Sequence, residues 1–290
     1  MSQPPLVTLI AGPTASGKSA LALKMARETD AVIINADSQQ LYADLRILTA
    51  RPSIEEEAQA DHRLYGVADA AEAWSVGHWS RAVLDMVKPL TVERRPVILV
   101  GGTGLYFTAL TRGLADIPNV PTEVRDQVEA DYLALGEAAF RTRLAEVDSP
   151  AARSIERGDR QRLIRAMSVY AASGHPLSRW QAQTMPLLSP DNWTSVVIEP
   201  DRRVLYDNCD RRVDQMMDQG ALNEVRALLS RNLSPALPAM KAIGVRELAA
   251  YVSSNLSRKQ AVEDLKQATR NYAKRQLTWF RNQTRGWPRS

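Results

Sequence analysis

The sequence predicts an α/β protein: a parallel sheet flanked by helices, interrupted by a helical insertion. Three observations carry this. Short apolar runs end in polar, glycine-bearing tips. The first tip, AGPTASGKSALAL over residues 11–23, holds Gly12, four free positions and then Gly17-Lys18-Ser19, the spacing of a loop that cradles phosphate. From about residue 117 to 193 strand signals vanish, and two amphipathic patterns rich in Arg and Glu take their place.

Residues 6–10 form an apolar run that stops where the loop begins, and residues 20–27 after it are good helix formers. Strand, loop and helix is the context that a phosphate-loop match requires. Residues 31–34 and 96–100 have the unbroken Val/Ile character of strands buried on both faces. In such sheets ligands collect beyond the carboxyl ends of the strands. The tips there are Gly12 to Ser19, then Asn35-Ala36-Asp37-Ser38, then Gly101-Gly102-Thr103-Gly104. A P-loop NTPase-like core over residues 1–116 and 194–290 is the expectation, with residues 117–193 as the insertion. Within the insertion, helices are expected over 120–144 and 149–172, bounded by Pro118, Pro121, Pro150 and Gly174-His175-Pro176. A strand returns at 193–199, and the remainder reads as helix with breaks at Gly220, Pro235, Pro238 and Asn255.

At 290 residues and 44% hydrophobic composition the chain can bury a sizeable core. No apolar run approaches the roughly 20 residues needed to cross a bilayer. No basic patch precedes an apolar stretch at the N-terminus, so no export leader and a cytoplasmic, monomeric protein are expected. A single cysteine, Cys209, excludes an internal disulfide and a multi-cysteine zinc site; His62, His78 and His175 show no ligand spacing. The net charge is only +4, but between Lys266 and Ser290 there are seven Lys or Arg and no acid. On a helix, Lys266, Arg270, Lys274, Arg281 and Arg285 fall in one wedge, opposite Leu265, Tyr272 and Trp279. That wedge is either a solvated charged face or a surface for a polyanion. A second basic cluster in the insertion (Arg157, Arg160, Arg162 and Arg165) favours the polyanion.

In the loop, backbone N–H groups at a helix start bind phosphate oxygens, Lys18 adds a full charge and the Ser19 hydroxyl can hold Mg²⁺. Ordinarily such a loop binds a nucleoside triphosphate. Asp37 on the second tip has three readings that the residues alone leave open: a magnesium-holding acid, a helix N-cap or a general base. Thr103 sits either in a plain turn or in a second grip on phosphate.

The segments GPTASGKS, NADSQQLY, HRLYGVAD, VILVGGTGLYFTAL, DRQRLIRAM with SGHPLSRWQ, DRRVDQMMDQGALNEV, MKAIGVREL and NYAKRQLTWFRNQ occur in an order that resembles the tRNA dimethylallyltransferases, or tRNA isopentenyltransferases. The resemblance runs from about residue 6 to 283, and the single cysteine fits the short bacterial type, without a C-terminal zinc finger. It implies transfer of a dimethylallyl group from dimethylallyl diphosphate to N6 of an adenosine beside the anticodon, adenosine 37 of the tRNA. The loop residues Gly12, Pro13, Thr14, Ala15, Ser16, Gly17, Lys18 and Ser19 then hold a prenyl diphosphate, with Mg²⁺ at Ser19. By the same resemblance Asp37 is the general base, and Thr103 and Arg212 contact the leaving diphosphate. Ser38, Gln39 and Gln40, with Arg125 and Gln161, Arg162, Leu163, Ile164 and Arg165 in the insertion, match tRNA-holding segments, and Lys274 and Arg281 extend that surface. Asp37 and Thr103 also face the flipped base.

The chain departs from the family pattern at Leu48 and Arg51, where Gly and Lys are usual, and at Lys241 and Val245, where Gln and Tyr are usual. Three rivals remain. Prenylation of free AMP or ADP needs neither the insertion nor the basic helix. A small-molecule P-loop kinase would want an acid closing the strand at VILVGG. A non-catalytic RNA-binding module leaves the phosphate loop without a purpose.

Overall fold

In the computed structural model, which describes residues 6–115 and 117–290, the chain divides into two compact units: Met1–Thr111 with Leu188–Ser290, and Arg112–Leu187. The residues at the N-terminus where no leader was expected, and Asp116, lie outside the described residues.

The larger unit is built on five strands in the order β3-β2-β4-β1-β5, every pair parallel. These are β1 (Val7–Ala11), β2 (Val32–Asn35), β3 (His62–Arg63), β4 (Val97–Gly101) and β5 (Trp193–Val197). The three central strands are almost wholly buried, as their unbroken apolar sequences require of a sheet covered on both faces. Helices α1 (Lys18–Thr29), α2 (Ile54–Glu57), α3 (Val76–Val92) and α4 (Gly104–Arg112) alternate with the strands. One face packs Ile10, Ile33, Ile98 and Val100 against Ala22 and Ala26 of α1. The other packs Leu9, Ile34 and Leu99 into a core with Trp79 and Phe107. Each such side chain contributes about 1.5–3 kcal/mol by leaving water.

The smaller unit consists of α5 (Thr122–Val147), α6 (Ser149–Ser154), α7 (Arg160–Ser173) and α8 (Leu177–Ala182). Its core is Val128, Phe140, Leu144, Leu163 and Met167 with their neighbours. Two expected helices are each broken. Gly136 interrupts α5 with φ 72° and ψ 166°, a backbone open to glycine at little cost. The 149–172 pattern divides because Ile155 ends α6 in an extended conformation and Asp159 caps α7 through the Arg162 N–H. Asp148, 1% exposed, accepts N–H bonds from Ala151 and Ser178 and so ties α6 to α8.

The chain then returns to the larger unit with β5, followed by α9 (Arg202–Gln219), α10 (Ala221–Ser230), α11 (Val245–Val252) and α12 (Arg258–Gln283). The breaks fall at the expected Gly220, Pro235–Pro238 segment and Asn255. α12 packs on α9 and α11, and its buried row is Ala261, Leu265, Thr269, Ala273, Gln276, Leu277 and Phe280. Tyr272 and Trp279, expected at the centre of that face, are only half-buried at its margin.

Candidate active site

β1 ends in the phosphate loop, which enters α1 through Gly17 at φ 89°. That left-handed conformation favours glycine and turns the chain into the first helical residue, Lys18. Two later helices grip the loop. From α9, Asn208 Nδ2 donates to the Ala15 carbonyl at 3.2 Å and, one turn on, Arg212 Nη1 donates to Thr14 Oγ1 at 3.1 Å. From α12, Gln276 Oε1 accepts the Thr14 N–H at 2.8 Å. Beneath the loop Ala15, Leu205, Cys209, Ala273 and Leu277 form an apolar floor, where burial pushes the Cys209 thiol up to about 11.

Lys18 is only 8% exposed, and its Nζ donates to the Pro13 carbonyl at 3.1 Å. Burial lowers the ammonium to about 8, with Asp37 drawing it back up and Arg212 pressing it down. Burial likewise depresses Arg212, and Cys209 and Asp37 oppose that shift. A cavity lined by Thr14, Lys18, Ser19, Asp37, Gln39, Gln40, Arg212 and Tyr272, with Leu48, Met216, Ile243 and Leu265, holds these groups together. Its charged lining is two cations against one carboxylate, a surplus that a bound anion would relieve. Its apolar lining lies in the same hollow. Burial, then Asp37, push the Tyr272 phenol above the usual range, so it stays neutral.

Asp37 follows β2 but begins no helix, so the N-cap reading does not hold. Its Oδ1 accepts the Gln39 N–H at 3.0 Å, while its backbone is fixed by Asn35, which accepts the Asp37 N–H at 2.8 Å and donates to the Asp37 carbonyl at 2.9 Å. Oδ2 lies on the Gly102 side, 3.2 Å from where a Cβ on that glycine would stand. Thr103 is not in a plain mobile turn. Its hydroxyl accepts the Ser38 N–H at 2.9 Å and donates to Ser38 Oγ at 3.2 Å, coupling the second and third tips. Thr103 therefore sits by Ser38, which is next in sequence to the cavity-lining Asp37 and Gln39.

Gln39 and Gln40 reach the cavity with part of their amides already engaged. Gln40 Nε2 donates to the Thr49 and Ala50 carbonyls, both at 2.9 Å, and Gln39 Oε1 accepts the Ile243 N–H at 3.4 Å. Of the departures, Leu48 is buried and presses on Gly244; Arg51 closes over Gly66 and lies 3.9 Å from Glu57. Val245 is buried at the start of α11, and Lys241 is exposed.

In the smaller unit Arg125, Arg160, Gln161, Arg162, Ile164, Arg165 and Ser168 line one hollow with Val120 and Glu129. Arg162 pairs with Asp159 at 3.3 Å and Arg125 with Asp126 at 3.7 Å, both exposed. Leu163 corrects the expectation for this segment. It is fully buried against the helical core, so its side chain cannot meet an RNA.

The basic wedge of α12 also needs correction. Lys266 pairs with Asp214 at 2.8 Å, Arg270 with Asp210 at 2.6 Å and Arg281 with Glu199 at 2.7 Å. Acids from α9 and from just past the end of β5 thus pair with three of the five residues of a stripe that looked unopposed. Lys274 stays exposed.

Three further residues, outside the motif chemistry, shape the site. Gln276 and Asn208 hold the loop, and Glu224 on α10 accepts the Ile47 and Leu48 N–H groups at 2.8 Å each, fixing one cavity wall. Gln276 had a signal: a polar side chain in the buried row of α12. Glu224 and Asn208 had none, since their partners are backbone groups 177 and 193 residues away.

A parallel sheet with a phosphate loop at its first tip and flanking helices places the protein in the P-loop NTPase-like class. Residues 40–283 match the family model described as IPP transferase. The chain is 57% identical over 285 residues to a tRNA dimethylallyltransferase of Phenylobacterium zucineum, covering 98% of this chain and 92% of the relative. It is 55% identical to one of Caulobacter sp. strain K31 over 283 residues, again 98% and 92%. A crystal structure of the full-length tRNA isopentenylpyrophosphate transferase of Bacillus halodurans matches with TM-score 0.69 and 31% identity, covering 98% of this chain and 89% of the other. The chain belongs to the tRNA dimethylallyltransferase family and is thus an enzyme, a prenyltransferase.

Proposed function

We propose that the protein transfers a dimethylallyl group from dimethylallyl diphosphate to N6 of adenosine 37 in tRNA. The observation that carries this reading is the cavity in which Lys18 and Arg212 face Asp37 beside an apolar wall. The two cations and the loop amides suit a diphosphate, the apolar wall suits a short hydrocarbon, and the carboxylate suits the proton of an amine acceptor.

Position supports a role for each residue. Lys18, Arg212 and the loop residues hold the diphosphate and stabilise charge as the C–O bond breaks, a contribution that is often the largest in a site. Asp37 Oδ2 takes the N6 proton, and Oδ1 stays fixed by the Gln39 N–H. Thr103 contacts the oxygens of the leaving diphosphate, with its hydroxyl placed by Ser38 on the neighbouring tip. The adenine leaves its stack to enter the cavity.

The donor set suits Mg²⁺. Ser19 offers an exposed hydroxyl oxygen, and among the described residues no group of three His, Cys, Asp or Glu is assembled that could cage an ion. Magnesium commonly takes one or two protein oxygens and fills its shell with water and substrate phosphate. Ser19 would hold it, and the ion would neutralise charge on the diphosphate.

In the smaller unit, Arg125, Gln161, Arg162 and Arg165 are the tRNA-holding residues, with Ile164 at the edge of the same hollow. Removing Arg162 and Arg165 together is expected to weaken tRNA binding and to lower the slope of log K against log salt by about 1–2, since each phosphate contact contributes close to one unit. Filter binding between low and moderate salt measures it, and a wild-type slope in the double variant removes both residues from the interface. Among the described residues no helix is long and apolar enough to cross a membrane.

The deciding experiment supplies labelled dimethylallyl diphosphate with unmodified tRNA, with AMP, or with tRNA plus ATP. Label in tRNA alone is expected, at adenosine 37 by nuclease mapping. Label in AMP would establish the mononucleotide reaction, and phosphate transfer from ATP would establish a kinase.

A further inference from the structure

Gln276 joins two tips of the sheet that have no covalent neighbour in common. It is 5% exposed in the buried row of α12. Its Oε1 accepts the Thr14 N–H at 2.8 Å and its Nε2 donates to the Gly102 carbonyl at 2.9 Å. The two partners fix the orientation of the amide, because Thr14 offers only a donor and Gly102 only an acceptor. A Cβ on Gly102 would stand 2.2 Å from Gln276 Nε2 and 3.2 Å from Asp37 Oδ2, so the amide and the carboxylate flank the same main-chain atom. On the far side Thr14 holds Arg212 through its hydroxyl at 3.1 Å. The connection runs from Arg212 through Thr14 and Gln276 to Gly102, beside Asp37.

We propose that Gln276 is a positioning residue that sets the distance between the phosphate loop and the Asp37 carboxylate, and thereby the alignment of a bound diphosphate ester with its acceptor. The proposal rests on the functional reading above. Misplacement by about 1 Å can cost a hundredfold in rate without removing any group that touches the substrate. Lys18 and Arg212 do not depend on this amide for their charge, so ground-state affinity should survive its loss while turnover does not. Buried amides of this kind also stiffen what they join, since leaving an N–H or carbonyl unpaired inside the protein is costly.

Two substitutions test it. Q276M keeps length and volume and removes both hydrogen bonds; Q276E keeps the acceptor for Thr14 but loses the amide donor and adds a charge next to Asp37. For Q276M, kcat is expected to fall about 10–100-fold with KM for the diphosphate within about threefold, and hydrogen exchange in the peptide spanning residues 11–19 should quicken in the absence of ligand. For Q276E, which keeps the acceptor for the Thr14 N–H, exchange of that peptide should stay nearer to wild type than in Q276M, while the lost donor to Gly102 still lowers kcat. A residue that merely fills the core would leave the exchange of that peptide where it is in the volume-matched Q276M. Wild-type exchange in Q276M, or a kcat loss matched by an equal rise in KM, overturns the assignment. If the unaltered protein transfers no prenyl group, the functional reading fails, while the exchange measurement still decides whether Gln276 holds the loop.

Discussion

Replacing Asp37 by Ala is expected to lower turnover by a factor on the order of 10²–10⁴, the range for loss of a general base, with tRNA and diphosphate affinities changed much less. The carboxylate is buried, held on one oxygen by the Gln39 N–H and framed by Asn35, so Asp37→Asn should keep the local fold and lose the proton acceptor. Single-turnover measurements with saturating diphosphate and tRNA isolate the chemical step. If that step keeps its normal rate and affinity falls instead, Asp37 binds the substrate and another group takes the proton.

The second large effect concerns Lys18. Lys18→Met should weaken diphosphate binding about 10–100-fold, the worth of a charge-assisted contact, and yet stabilise the empty protein at pH 7. The sign is set by the lowered pKa. A lysine that falls from 10.5 unfolded to about 8 folded binds more protons when unfolded throughout that window. Stability contributed by this group therefore rises with pH between about 8 and 10.5, and below 8 the full cost of burying the charge is present. Removing the charge relieves that cost, on the order of 1–3 kcal/mol after the lost bond to Pro13 is counted. Urea denaturation at pH 7 and pH 10 checks both halves: the variant should gain at pH 7 and converge toward wild type at pH 10. A variant less stable at pH 7 would mean that the Lys18–Pro13 contact outweighs desolvation. The same titration makes diphosphate binding weaken above pH 8, where the empty site no longer carries the ammonium.

The sheet was legible because its central strands are buried on both faces, so that Val32-Ile33-Ile34 and Val97-Ile98-Leu99-Val100 are unbroken apolar runs. β3 was not, since His62-Arg63 carries no apolar pattern and pairs only through its backbone with Ile33 and Ile34. The Gly-rich loop announced itself by spacing, with Lys18 at the start of the helix after β1 and Asp37 just past the end of β2, two strands separated in the sheet by β4. What the sequence concealed depends on distance along the chain. Asp210 and Asp214 neutralise Arg270 and Lys266 from another helix, so a charge count taken locally overstated the basic stripe. The resemblance took residues 161–165 as one segment and so grouped Leu163 with its arginine neighbours, although its own angle on α7 turns it inward.

The grip of the final helix on the first loop has a consequence for biosynthesis. Thr14 and Gln276 are 262 residues apart, and contacts that distant form late. A growing chain whose last turns are still unmade carries a phosphate loop with no brace and an acid with no fixed counterpart. The braced geometry of the site thus waits on the making of this late helix, so that order at the first loop is delayed long after the loop itself has been synthesised.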